Sequence, residues 1–247
     1  MRFPGWTLPG VMGAGAVQTL VNIHRVLPGE RAVMVGSGNV GLIVSYHILQ
    51  AGGRIVKVVE VTPKITGWGV HASKLVRCGI LIETSKTIKA AYGDNRVEYV
   101  ELVAVDKNLK QIPGTEEKIN VDLVCIATGL TPLTELAWVA GCKHRYVSEL
   151  GGWVPIHDRN LKTTIPGIYV AGDTAGIDEA STAMEEGRIA GISVAEELGN
   201  ISKAEGRSKR EQAYARIREF HSSPWGSKVE QGHRKILMFY KRKIHDS

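Results

Sequence analysis

Apolar residues follow two rhythms along this chain, and the places where one gives way to the other mark its elements. Residues 32–35 (AVMV), 55–59 (IVKVV) and 121–127 (VDLVCIA) are short aliphatic, largely β-branched runs. Runs of this kind suit strands buried on both faces of a parallel sheet. Residues 40–50 read as a helix between the first two runs, and residues 14–26 as another that Pro28-Gly29 breaks. A further helix is expected over residues 69–77, ended by Gly79. Residues 80–83, 87–91 and 96–105 read as strands, the last two joined by a turn at Gly93-Asp94-Asn95. Past residue 127 the pattern changes. A short helix is expected over 133–140, a turn at Gly151-Gly152, and a strand over 167–173 that runs into Gly172-Asp173. Residues 179–198 read as a helix with a small-residue face, which Gly199-Asn200 stops. The tail holds a helix over 209–220, a break at Ser222-Ser223-Pro224 and an apolar, basic end. The whole reads as an α/β protein.

Composition narrows the class without naming a function. With 247 residues, 43% hydrophobic and 23% charged, the chain has the make-up of a globular protein of one large or two small domains. No apolar stretch approaches the roughly 20 residues that span a bilayer, so no membrane span is expected. MRFPGWTLPG lacks a basic segment followed by an apolar one, and a cytoplasmic setting is expected. Cys78, Cys125 and Cys142 form no C-x-x-C pair, which argues against a redox dithiol, a zinc ribbon or an iron–sulfur cluster. The eight histidines are scattered, with no H-E-x-x-H, and no metal site is expected. His71 and His157 read as surface or packing residues. The net charge of +6 belongs to the tail, where residues 201–247 hold 12 Lys/Arg against 5 Asp/Glu. A solvated basic helix explains this excess, and no nucleic-acid partner is expected.

The strongest chemistry lies between the first two strand runs. Gly36-Ser37-Gly38-Asn39-Val40-Gly41 matches G-x-G-x-x-G at a strand-to-helix junction, and Glu60 closes the next strand 24 positions after Gly36. Gly36 permits the tight turn, Gly38 lets a phosphate approach the backbone, and Gly41 lets helix and strand pack closely. The helix start offers about half a positive charge and unpaired N–H groups, so a pyrophosphate can sit there without a dedicated lysine. A carboxylate at Glu60 would accept the ribose hydroxyls and repel the extra phosphate of NADP. The reading is a dinucleotide site for NAD(H).

Four segments together resemble the FAD- and NAD(P)-binding pyridine nucleotide–disulfide oxidoreductase family. They are GSGNVG at Gly36, CIATGLTP at 125–132, TTIPGIYVAGD ending at Asp173, and EASTAMEEGRIAG from Glu179. The resemblance implies a Rossmann-like NAD-binding domain inserted in an FAD-binding three-layer domain. Thr128 and Gly129 would mark the return to the FAD domain. Gly172 and Asp173 would bring a carboxylate to the ribityl chain, and Glu179 and Ala180 would lie at a helix start near the flavin pyrimidine edge. Within the family, RFPGWTLPGVMGAGAVQTL and the stretch from Glu179 look most like sarcosine oxidase α, dye-linked proline dehydrogenase α and hydrogen cyanide synthase B-type subunits.

Two departures shape the expectation. The family's FAD domain opens with its own glycine-rich strand–loop–helix, and no second such motif stands before Arg2. The FAD domain is therefore expected to be truncated, the chain being the C-terminal part of a longer protein or one piece of a split one. Residues 1–27 are read as a remnant of the FAD domain, 28–127 as the NAD(P) domain, 128–200 as the C-terminal part of the FAD domain and 201–247 as the basic helical tail. The lack of a cysteine pair removes a disulfide-reductase role. The expected function is an FAD-dependent oxidoreductase component that passes hydride between NAD(H) and flavin, as a subunit of an amine, amino-acid or hydroxy-acid dehydrogenase. Its partner would be a second flavoprotein or electron-transfer subunit, or the missing N-terminal FAD-binding segment. No side chain stands out as catalytic. The alternatives are an NAD-binding module or a gene fragment without catalysis of its own.

Overall fold

A computed structural model describes residues 1–222 and 226–245, with side chains through Lys241. The chain divides into two compact units, Met1–Gly129 and Leu130–Ser247.

The first unit is built on strands β1 (Val11–Gly13), β2 (Arg31–Val35), β3 (Arg54–Glu60), β4 (Ile82–Thr84), β5 (Lys86–Tyr92), β6 (Tyr99–Ala104), β7 (Glu117–Asn120) and β8 (Leu123–Ile126). Helices α1 (Ala14–Asn22), α2 (Asn39–Gln50) and α3 (Gly69–Arg77) connect them. A five-stranded sheet runs β1-β8-β2-β3-β4, with every neighbouring pair parallel. The continuous apolar runs have a simple cause: this sheet is covered twice. Ala32, Met34, Leu123 and Cys125 face the helices beside Val17, Leu42, Ile48 and Leu75. Val33, Val35 and Val124 face the antiparallel meander β5-β6-β7 beside Ile88, Val100, Leu102 and Ile119. Each fully buried side chain of this size contributes about 1.5–3 kcal/mol.

Lys57 interrupts the run in β3, next to a register irregularity between Ala32 and Val33. Its ammonium lies 2.7 Å from both Glu83 and Glu117, and Lys86 lies 2.8 Å from Glu117. This alternation of charges pins the meander to the parallel sheet. β7 and β1 were not anticipated by the hydrophobic pattern. Both are short, and Glu117 and Lys118 make β7 half polar. The segment before Pro28 packs within this unit: β1 forms the sheet edge against β8, and Phe3 lies in the meander-side core. Helix α1 ends at Asn22, short of residue 26, because the N–H groups of Ile23 and His24 both turn back to the Thr19 carbonyl and Arg25 takes a positive φ.

The second unit contains α4 (Glu135–Val139), the antiparallel hairpin β9 (His144–Val147) and β10 (Gly152–Pro155), and three long helices. These are α5 (Ala180–Glu197), α6 (Lys203–His221) and α7 (Gly226–His245). The strand expected over residues 167–173 does not form. Tyr169 makes an isolated bridge with Lys162, and Gly172–Thr174 is a 3-10 turn. A parallel strand needs a neighbour, and among the described residues this unit has only the hairpin. The tail is helical but not merely solvated. Ser202 caps α6 by accepting from Glu205 N–H, which starts the helix six residues before the expected one. Ala213 and Ile217 pack with Ile189 of α5, and Ile236 of α7 packs with Val147, Leu150 and Val154. Arg210 and Arg216 pair with Glu196 and Glu185 of α5, so part of the basic excess faces acids on the neighbouring helix. Ser222 follows α6 as its C-cap, whereas Ser223 and Pro224 of the expected break lie outside the described residues.

Candidate functional site

The sequence signals of the first unit meet at the carboxyl ends of three adjacent parallel strands, where open α/β sheets place their ligands. The glycine loop follows β2, Glu60 ends β3, and Thr128-Gly129 follow β8. The three motif glycines have separate physical causes. Gly36 has φ +108°, and a Cβ there would stand 2.2 Å from the Ala127 carbonyl oxygen. A Cβ on Gly41 would stand 2.2 Å from the Gly36 carbonyl oxygen, so both positions exclude side chains by packing. Gly38 differs. A Cβ there would meet only Thr66 Oγ1, at 3.9 Å, so the space before this amide is open. Gly38 is the N-cap of α2, and no side chain caps the helix. Helix geometry leaves the first-turn N–H groups of Asn39, Val40 and Gly41 without intrahelical acceptors. An open, uncapped, dipolar end fits a pyrophosphate. Ser37 is fully buried, while Thr128 and Gly129 are exposed.

Glu60 is already engaged. It is buried, and its Oε2 accepts from Ser37 N (2.9 Å), Ser37 Oγ (2.7 Å) and Thr66 Oγ1 (3.2 Å). Its Oε1 accepts from Thr62 N (2.9 Å), with Thr62 Oγ1 at 3.0 Å. Burial pushes the carboxyl pKa up, but the hydrogen bonds from Thr62 and Ser37 outweigh it and hold it below the ordinary value. The acid is therefore an anion at neutral pH. A carboxylate has about four acceptor positions, and five donors surround this one. Thr62 supplies the slack. Its hydroxyl lies 2.8 Å from the Lys64 carbonyl oxygen and has one proton, so it cannot serve both acceptors. If it donates to Lys64, Oε1 is released for a ligand hydroxyl.

Residues 62–68 form a loop against the glycine turn that sequence reading missed. Thr66 N–H donates to Ser37 Oγ, Gly67 N–H to the Ser37 carbonyl, and Trp68 N–H to Asn39 Oδ1. The one available signal was Gly67, where a Cβ would collide with Ser37 O and Leu42 Cδ1 at 2.7 Å.

In the second unit Gly172 has φ +64°, Asp173 is exposed in the 3-10 turn, and Glu179 and Ala180 are exposed at the start of α5. The Gly172 amide donates to Glu186 Oε2 at 2.7 Å, and Asp178 Oδ1 accepts from Glu179 N–H at 2.8 Å. An exposed carboxylate near an uncapped helix start suits the ribityl and pyrimidine end of a flavin. Cys125 is buried in β8, and burial pushes its thiol up to about 12, which makes it inert. Among the described residues no group of His, Cys, Asp and Glu could hold a metal ion, and no helix is long and apolar enough to cross a membrane.

Parallel sheet, glycine loop and strand-end acid are the parts of a dinucleotide-binding type of α/β fold. The family profile described as pyridine nucleotide-disulphide oxidoreductase matches residues 4–187, and the chain belongs to that family. That family is one of FAD-dependent, NAD(P)-utilising oxidoreductases. The chain is 28% identical over 229 residues to the A subunit of opine oxidase from Agrobacterium tumefaciens (strain Ach5), covering 89% of this chain and 46% of that protein. It is 27% identical to the HcnB subunit of hydrogen cyanide synthase from Pseudomonas aeruginosa, covering 87% of this chain and 50% of that protein. The crystal structure of L-proline dehydrogenase from P. horikoshii shares the fold, with a TM-score of 0.57 and 22% identity over 86% of this chain and 35% of that one. The chain thus spans about half the length of the opine oxidase and hydrogen cyanide synthase relatives.

Proposed function

We propose that this chain binds NAD(H) at Gly36–Gly41 and Glu60 and exchanges hydride between nicotinamide and flavin as one subunit of a larger amine, amino-acid or hydroxy-acid dehydrogenase. One observation carries the reading: an uncapped helix N-terminus with open space at Gly38 stands beside a buried anionic carboxylate at the ends of adjacent strands. The α2 amides would hold the pyrophosphate. Glu60 would take the adenosine ribose once the Thr62 hydroxyl turns to Lys64 O, and its charge would disfavour a 2′-phosphate. Asp173 would hold the ribityl hydroxyls, with Glu179 and Ala180 at the flavin's pyrimidine edge. Thr128 and Gly129 would be the crossing point between the NAD- and FAD-binding parts. When bound, the flavin supplies the hydride acceptor, and the protein's part is to align the two rings. The opine oxidase and hydrogen cyanide synthase relatives are themselves subunits, which supports a second flavoprotein or electron-transfer chain as partner. A cytoplasmic setting is part of this reading.

A second reading, an NAD-binding module without flavin, is favoured by one observation: among the described residues only the first unit carries a parallel sheet. Titration calorimetry with NADH and NADPH tests the first site. NADH should bind more tightly than NADPH, and Gly38→Val should weaken NADH at least tenfold while the protein stays folded by circular dichroism. No heat with NADH on folded protein would remove the assignment. Flavin absorbance retained through gel filtration selects the hydride-transfer reading, and colourless protein that binds NADH selects the module.

A further inference from the structure

Two carboxylates, one before α5 and one inside it, have side chains under a tenth exposed. Asp178 precedes the helix, and its Oδ2 lies 2.7 Å from Nε2 of His221, the last residue of α6, with both side chains under a tenth exposed. Glu186 lies within α5, its Oε2 accepting the Gly172 amide and its Oε1 3.9 Å from Nε2 of His233 on α7. The rings of His221 and His233 stack with centroids 6.2 Å apart at 20°. His157, in the segment after β10, is buried, and among the described residues neither its Nε2 nor that of His233 has a hydrogen-bond partner. The Gly172 and Glu179 amides thus each donate to an acid, and each acid faces an imidazole of the tail.

We propose that Glu186 is a positioning residue for the Gly172–Asp173 turn, in a buried cluster that α7 closes with His233, and that this position responds to pH through ionisation of Glu186. The inference rests on the flavin assignment for its functional meaning but not for its geometry. The groups facing Glu186 are Asp173 in the turn, Asp178 before α5, Tyr214 on α6 and His233 on α7, while His157 after β10 and His221 on α6 face His233. Burial pushes Glu186 up to about 8 against the pull of the Gly172 N–H, and the nearby Asp178 and Asp173 carboxylates push the same way. Burial pushes His233 down to about 4. At neutral pH the two therefore face each other uncharged, and no ion pair locks them. Raising the pH ionises Glu186. Its hydrogen bond from Gly172 becomes charge-assisted and shorter, while repulsion from Asp173 and Asp178 grows.

The test follows the Gly172 amide by NMR on the full chain while pH is raised from 5 to 10. The amide resonance should titrate with the Glu186 side-chain carboxyl, at one shared midpoint near 8. Glu186→Gln should abolish that titration, and Asp178→Asn, which removes a carboxylate that pushes Glu186 up, should lower its midpoint by at least half a pH unit. A Gly172 resonance that is flat across the range, or one that titrates unchanged in Glu186→Gln, overturns the proposal. Should Glu186→Gln fail to fold, the midpoint shift in Asp178→Asn decides, and an unmoved midpoint overturns it. FAD titration by absorbance separates the two ideas. A titrating Gly172 without FAD binding keeps the positioning role and removes the flavin assignment. FAD binding with a pH-independent Gly172 does the reverse.

Discussion

Glu60 and Glu186 are both 5% exposed, yet burial has opposite consequences for them. Glu60 sits among donors from Ser37, Thr62 and Thr66 and stays ionised. Glu186 has one backbone N–H, two acids nearby and an uncharged imidazole, and its carboxyl is pushed up to about 8. The desolvation cost is of the same kind in both places. The supply of hydrogen-bond donors decides whether the buried group keeps its charge. The donors differ because the units differ. A strand end next to a glycine loop presents several backbone N–H groups to one point, whereas the flank of a long helix presents almost none, its amides being used within the helix.

The comparison breaks most visibly if the scaffold under Glu60 is disturbed. Gly36→Ala puts a Cβ onto the Ala127 carbonyl at a positive φ and should destabilise the chain by about 3 kcal/mol or more, read from urea unfolding. A fully folded, equally stable variant would mean the loop is not packed as described. The carboxamide pair comes next. Glu60→Gln replaces a charged acceptor of several N–H and O–H donors and should cost about 2–3 kcal/mol at pH 7, whereas Glu186→Gln should cost under about 1 kcal/mol there. Equal costs would erase the contrast.

Their pH dependence sharpens it. Glu60 has a folded pKa below 4.5, so its contribution is present above 4.5 and is lost as pH falls through the folded value. Glu186 works in the other direction. Between 4.5 and about 8 the folded chain keeps a proton that the unfolded chain releases, so stability falls as pH rises across that window. Glu186→Gln should flatten this slope in urea midpoints measured from pH 5 to 9. His233 adds a loss on the acid side: its folded value of about 4 lies below 6.5, so its contribution declines as pH falls from 6.5 towards 4. The smallest effect is expected from Thr62→Val. Without the competing hydroxyl, NADH should bind a few-fold tighter by calorimetry, an effect of about 1 kcal/mol or less. Weaker binding would show that the hydroxyl serves the ligand rather than competing with it.

The first unit was largely legible in the sequence because its instructions are local. The runs at residues 32–35 and 121–127 became β2 and β8, and the spacing from Gly36 to Glu60 set loop, helix and acid in sequence. Lys57 shows the limit. Nothing in IVKVV reveals that its ammonium is met by Glu83 and Glu117 from other strands. The run ending in Gly172-Asp173 has the composition of a strand, but among the described residues it pairs only through the Tyr169–Lys162 bridge, and the tail's charge concealed that its helix packs through Ala213 and Ile217.

What the residues alone determined is therefore the set of parts that short-range sterics and periodicity dictate: a strand, a glycine turn, a helix start and an acid at the right distance. What only the folded chain decided is the ionisation and freedom of those parts. Both depend on which donors, acids and imidazoles remote segments bring to within hydrogen-bond reach, and water is excluded from those contacts only after the layers close.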